Sequence, residues 1–355
     1  MAERARALVI AVALASLAAC GGGTPDRPAA IAAEEGGAPG VLDAGAPDQR
    51  SGSTETTVDA RAPDALSGAA DAATSTKYEH DGVEMFTALT ANVSNGTRTF
   101  TEHVYLPSSA GAHAVVSLSP GLQQPAAAYA PFAARLASYG VIVVLRDDPG
   151  PLTVTTDVEA DLTYVIGTWL SQQSQDGTSA LHGKVDLARI GLGGHSRGGK
   201  ASLLAAERGL KGKVVAWFGL DPVDSASFSG GAQARTDVAT IGIPTAYLGA
   251  SVASSCSPAG DNYEVLFAAS ATPSVELKGI GAGHTQLEDP ATCSACSLCS
   301  PSGTADSKTV LAYAVRYLVA FFARELLSDA SVGAAFEGAG AAADVAAGRI
   351  QITSK

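Results

Sequence analysis

Residues 191–200 read GLGGHSRGGK, one serine with five glycines around it. Glycine costs backbone entropy, so a cluster of it marks a turn that bulkier residues could not make. Before it, Leu187–Leu192 has the composition of a strand. After it, Lys200–Arg208 has helical spacing and no helix breaker. A strand that turns directly into a helix is the repeating unit of a parallel sheet covered by helices. Such a sheet needs further copies of that unit along the rest of the chain.

They are present. Ala114–Leu118 (AVVSL), Val141–Leu145 (VIVVL), Val214–Leu220 (VVAWFGL), Thr245–Leu248 and Val275–Leu277 are short apolar runs. They lack polar alternation, as expected of strands buried on both faces. Between and after them, Tyr129–Tyr139, Asp157–Leu170 and Leu311–Leu327 have helical spacing. Val83–Tyr105 is different: Asn95-Gly96 separates two alternating runs, the signature of a hairpin. The pattern predicts an α/β fold, with a mostly parallel central sheet flanked by helices on both faces, over residues 77–330. No internal repeat interrupts it. Residues 331–355 are Ala/Gly-rich and read as a weakly ordered tail.

Upstream the composition changes. MAERAR is a basic n-region and ALVIAVALASLAA an apolar run too short for a permanent span, followed by Cys20. Leu17-Ala18-Ala19-Cys20 resembles a bacterial lipobox, which implies a signal peptide over 1–19 and acylation of Cys20. A plain signal peptide with a chance cysteine is the alternative. Residues 20–76 hold little besides Gly, Ala, Pro, Ser, Thr and acids, too few apolar side chains to offset the entropy of ordering. They read as a disordered tether. Over 21–76, nine acids face three arginines, which accounts for half of the formal net charge of −12. That balance argues against nucleic acid as a partner. Through Cys20 the expected partner is a membrane on the periplasmic or cell-surface side, with the protein a monomer.

Gly194-His195-Ser196-Arg197-Gly198 fits G-x-S-x-G between a strand and a helix, the context of a nucleophile elbow. A structural turn capped by a serine is the plain alternative. A serine hydroxyl needs a base, and in such elbows the chain order is serine, acid, histidine. His284, in GIGAGHTQLED, is the only histidine downstream of Ser196. For the acid, the strand ending at Leu220 delivers Asp221, with Asp224 and Asp261 as rivals. The oxyanion donors expected are the N–H of Arg197 and that of Leu122, in SPGLQQP after the strand 114–118. Arg197 and Lys200 read as surface charges or charges beside the site, or else as groups favouring an anionic substrate. No cofactor is expected.

GHSRGGK at 194–200, GLDPVD at 219–224, GAGHTQLED at 281–289 and the segment Cys256–Asn262 resemble motifs of the chlorophyllases, a branch of the α/β-hydrolase superfamily. The SPGL stretch and the last helix are also similar to bacterial cutinases, polyester hydrolases and dienelactone-hydrolase-like proteins. The resemblance covers roughly residues 80–328. It implies a serine hydrolase of carboxylic esters and an acid after the sixth strand, which is where Asp221 stands. It does not imply a particular substrate, and the lipoprotein leader departs from the plant enzymes. A cutinase-like polyesterase or lipase is the alternative activity. A non-catalytic cell-surface binding protein is the alternative of another class.

Four cysteines remain after Cys20: Cys256, Cys293, Cys296 and Cys299. In an exported chain they read as two disulfides with three possible connectivities. The expectation is that they tie the loop carrying His284 to the loop after Leu248. Cys293, Cys296 and Cys299 also have metal-ligand spacing, for which Cys256 would be the fourth ligand; the disulfide reading, with no metal, is preferred.

Overall fold

The computed structural model describes residues 77–94, 99–147, 156, 160, 165–208, 210, 212–225, 231–293, 296–332, 336 and 339–355. The expected signal peptide, Cys20, the tether, Asn95-Gly96 and most of the expected helix 157–170 lie outside them.

The strands are β1 (Phe86–Ser94), β2 (Thr99–Pro107), β3 (His113–Ser119), β4 (Ile142–Arg146), β5 (Val185–His195), β6 (Val214–Leu220), β7 (Thr245–Val252), β8 (Ser274–Gly283) and β9 (Ile350–Ser354). The helices are α1 (Ala130–Ala137), α2 (Leu170–Gln175), α3 (Ser196–Arg208), α4 (Tyr263–Ala269), α5 (Ser307–Leu327) and α6 (Ala339–Ala346). One sheet runs in the order β1-β2-β4-β3-β5-β6-β7-β8-β9. Strands β4, β3, β5, β6, β7 and β8 are parallel. The hairpin β1–β2 and the last strand β9 pair antiparallel at the two ends.

The central strands are apolar throughout because both of their faces are covered. Alternation sends Val116, Leu118, Ala216, Phe218, Leu220 and Leu248 to one face, where Phe132 and Leu136 of α1 and Phe321 and Phe322 of α5 meet them. Val115, Leu192, Trp217 and Tyr247 point the other way, onto Leu170 of α2, Leu203 and Leu204 of α3, and Leu266 of α4. Helix α5 is held by both of its ends. Asp306 caps it by accepting from the N–H of Thr309, and Ser328 closes it in the left-handed conformation. Among the described residues no helix is long and apolar enough to cross a membrane.

The expected strands of the core and the helices expected at 129–139, 200–208 and 311–327 are present, several of them longer than their apolar runs. Strand β5 continues to His195, so that Ser196 is the first residue of α3. Strand β8 continues through the glycine-rich segment to Gly283. The segment 165–175 is helical, opening as a π-helix over Val165–Trp169.

One reading is corrected. Residues 350–354, expected in a weakly ordered tail, form β9 and pair with β8 from Gly279↔Ile350 to Val275↔Ser354. Ile350 is buried against the α5 face of the sheet. The buried Asp344 accepts from Tyr317 of α5 and from Arg349. The folded unit therefore extends past residue 330. Alanine-rich composition concealed it, because a short edge strand is ordered by its partner rather than by its own propensity.

Candidate active site

The parallel strands all end at one edge of the sheet, the usual place for a site in an α/β fold. Strand β3 ends at Ser119, paired with Gly194 of β5, and β5 pairs His195 with Leu220 of β6. Ser119-Pro120, Ser196 and Asp221 are thereby set side by side in space although they are far apart in sequence.

Ser196 has φ +54°, a left-handed conformation that a non-glycine residue adopts at a cost. Its surroundings show why the flanking positions are glycine. A Cβ on Gly194 would sit 2.7 Å from the Ser119 carbonyl oxygen, and one on Gly198 would sit 2.2 Å from that of Pro120. The start of α3 thus presses directly on the backbone after β3.

His284 follows β8 and opens a short 3-10 turn, His284–Leu287. Gln286 fastens that turn, its side chain accepting from the N–H of Gly283 and donating to the Ala305 carbonyl and the Ser307 hydroxyl. The imidazole Nε2 lies 2.9 Å from Ser196 Oγ, and Nδ1 lies 2.6 Å from Asp221 Oδ2. Asp221, at φ +38°, is fully buried. Its N–H donates to the Leu248 carbonyl, and its Oδ1 accepts from the N–H of Ala250. Ser196 is 9% exposed and His284 4%, so the row is almost closed to water, with the serine its most accessible member.

The rivals of Asp221 are occupied elsewhere. Asp224 is buried with Lys200 and accepts from Arg235 and from the N–H of Ala234; Asp261 also accepts from Arg235. Of the readings of Arg197 and Lys200 as surface charges or charges beside the site, burial removes the first. Both are buried, and Lys200 donates to the Ser225 carbonyl and stands 3.9 Å from Asp224.

The cysteines form two disulfides, Cys256–Cys299 and Cys293–Cys296. The first ties the loop after β7 to the segment that follows His284, as expected. The second departs from that expectation: it closes a three-residue step within one segment, beside Glu288, and reaches no other loop.

Two residues of this edge had no signal in the sequence. Tyr129, just before α1, has its hydroxyl 2.8 Å from His195 Nδ1 and 3.0 Å from Glu288 Oε2, and it accepts from the N–H of Gly121 at 2.9 Å. His195 Nε2 donates to the His284 carbonyl at 3.1 Å, and the two imidazole rings lie 4.6 Å apart. Burial and the neighbouring His284 hold His195 well below the usual histidine range, so it is neutral. Burial pushes the Glu288 carboxyl up to about 7. Glu288 stands inside the quoted segment GAGHTQLED, but only the fold shows what it meets.

A serine at the turn from a central parallel strand into a helix, faced by a histidine and an aspartate from later strand ends of a sheet in this order, places the protein among the α/β hydrolases. The sequence model of the chlorophyllase family matches residues 80–335. The chain belongs to the chlorophyllase family. It is also similar over 106 residues to Cutinase 2 of Thermobifida cellulosilytica and to Cutinase cut1 of Thermobifida fusca, at 29% identity, and to Cutinase est2 of Thermobifida alba, at 27%. Each match covers 30% of this chain and 39%, 32% and 34% of those proteins respectively, so the chain spans about a third of the curated relatives' length.

Proposed function

We propose that this chain is a serine hydrolase that cleaves carboxylic esters through an acyl-enzyme. The observation that carries the reading is the continuous row from Asp221 Oδ2 to His284 Nδ1 and from His284 Nε2 to Ser196 Oγ, at 2.6 and 2.9 Å. Membership of the chlorophyllase family and the cutinase matches support the same chemistry.

In this reading Ser196 Oγ attacks the ester carbonyl carbon and its proton passes to His284 Nε2. Asp221, holding Nδ1–H, fixes the tautomer that leaves Nε2 free to accept, and it stabilises the imidazolium that results. The carbonyl oxygen becomes an oxyanion that accepts from the N–H groups of Leu122 and Arg197; each such donor is typically worth about 10²–10³ in rate. Collapse expels the alcohol, which takes the proton from His284. Water then attacks the acyl-enzyme, giving its proton to His284, and the acid leaves with Ser196 restored. None of these steps calls on a cofactor. The lipobox-like Leu17–Cys20 supports an exported lipoprotein, with a monomeric catalytic domain tethered at a membrane face.

A second reading concerns the substrate. The cutinase matches favour a polyesterase or lipase acting on larger apolar esters. Hydrolysis of p-nitrophenyl esters with acyl chains of two to sixteen carbons by the full-length protein, beside Ser196→Ala, tests both. Activity lost in the variant, with fluorophosphonate labelling of the wild type, supports the serine mechanism, and the chain-length profile separates the two substrate classes. A folded wild type that neither turns over esters nor takes the probe refutes the enzyme reading in favour of a binding protein.

A further inference from the structure

His195, Tyr129 and Glu288 are all buried, lie outside the row of reacting groups, and form one hydrogen-bonded chain. The protons in that chain can be counted. The His284 carbonyl can only accept, so His195 Nε2 carries the ring proton. The neutral ring then offers Nδ1 as a lone pair. Tyr129 has one hydroxyl proton, and among the contacts described His195 Nδ1 and a Glu288 carboxylate compete for it. The hydroxyl can serve His195 without losing Glu288 only if Glu288 is protonated and donates back to the Tyr129 oxygen.

We propose that Glu288, acting through Tyr129 and His195, is a positioning residue that in its neutral form holds three pieces of the site in register. The pieces are the Gly121 turn, the strand end carrying Ser196, and the loop carrying His284. Each has its own link in the chain: the Gly121 N–H to the Tyr129 oxygen, His195 itself, and the His284 carbonyl to His195 Nε2. The inference rests on the serine-hydrolase reading above.

Burial favours the neutral form of Glu288 over the pull of the groups that face it. They are Tyr129 from before α1, His195 from β5 at 3.9 Å, His284 from beyond β8, and the Cys293–Cys296 disulfide. Oε1 lies 3.1 Å from Cys293 Sγ and 3.7 Å from Cys296 Sγ, and disulfide sulfurs have no proton to donate. Burial raises the carboxyl to about 7, against the Tyr129 hydrogen bond and the charge of His284, which pull it down. Below that pH the acid donates and the Tyr129 proton goes to His195. Above it the carboxylate draws the Tyr129 proton, and His195 Nδ1 loses its donor.

The test is the pH profile of kcat for p-nitrophenyl butyrate, from pH 5.5 to 9, for the full-length wild type, Glu288→Gln, Glu288→Ala, Tyr129→Phe and Ser196→Ala. One hydrogen bond is worth about fivefold, so wild-type kcat is expected to fall by roughly that factor above pH 7. Glu288→Gln, whose amide donates at every pH, is expected to show no such fall whatever its absolute kcat. Its kcat should exceed that of Glu288→Ala about fivefold at pH 6.5. Tyr129→Phe removes all three hydrogen bonds of the hydroxyl, of which two, from the Gly121 N–H and to His195 Nδ1, reach pieces of the site, so a loss of about 25-fold in kcat is expected with KM within threefold. A Glu288→Gln profile that falls in parallel with the wild type, or Tyr129→Phe within twofold of wild-type kcat, overturns the inference while Ser196→Ala is inactive. Retained activity in Ser196→Ala overturns the underlying reading, and the inference with it. Should Glu288→Ala fail to fold, the Glu288→Gln profile decides.

Discussion

Asp221→Asn exchanges one buried oxygen for an NH₂ group and leaves the volume unchanged. Asp221 Oδ1 accepts from the N–H of Ala250, while Oδ2 is 2.6 Å from His284 Nδ1. The new amide keeps its oxygen toward Ala250, because an NH₂ there would set donor against donor. Its NH₂ group therefore faces His284, and Nδ1 must become the acceptor. The ring proton moves to Nε2, the atom 2.9 Å from Ser196 Oγ, and the imidazole can no longer take the serine proton. The imidazolium also loses its counter-charge. Together these lower kcat by about 10³–10⁴, or about 4–5.5 kcal/mol at 1.36 kcal/mol per decade. The assay is p-nitrophenyl butyrate turnover per folded molecule, with circular dichroism to show that the variant is folded. Asp224→Asn is the control. Asp224 holds Arg235 and the N–H of Ala234 and does not meet His284, so its loss should lower Tm while activity stays within tenfold. A folded Asp221→Asn within tenfold of the wild type, or a larger kcat loss in Asp224→Asn, would refute the reasoning.

Three further outcomes are expected. Gly198→Ala places a methyl 2.2 Å from the Pro120 carbonyl oxygen and 2.4 Å from that of Ser119. The obstruction is backbone, so urea unfolding should show a loss of about 3 kcal/mol, and wild-type stability would contradict the close approach. Burial, with Asp237 and Asp224 nearby, pushes the Glu207 carboxyl up to about 8. The folded state therefore keeps a proton that the unfolded chain releases near 4.5. The resulting stability is full below 4.5 and is lost as pH rises through 8. Wild-type Tm should fall between pH 5 and 8, and Glu207→Gln should fall less; parallel curves would count against it. Replacing Cys256 and Cys299 together by alanine opens a link of sequence separation 43. Chain entropy puts the loss at about 4 kcal/mol, which corresponds to a drop of roughly 8–16 °C in Tm by calorimetry.

The sequence by itself determined the α/β architecture, because the six parallel strands must be apolar on both faces and are written as short uniform runs. It also marked Ser196 as the candidate nucleophile, since strand, glycine-fenced serine and helix follow one another locally, and chain order marked His284 as the candidate base. Asp221 was favoured over Asp224 and Asp261, but three carboxylates within forty residues cannot be separated by spacing. The tertiary structure separated them, by giving Asp224 and Asp261 to Arg235 and Asp221 to His284.

Tertiary structure alone ordered β9, whose pairing energy resides in β8, and buried Arg197 and Lys200, whose charge had suggested the surface. It alone joined Tyr129, His195 and Glu288. Tyr129 and Glu288 are 159 positions apart, and neither local propensity nor a short motif encodes a contact of that range. Local pattern writes the elements and the strained turn that carries the serine. Which polar groups share a buried edge is fixed only when the strands take their order in the sheet.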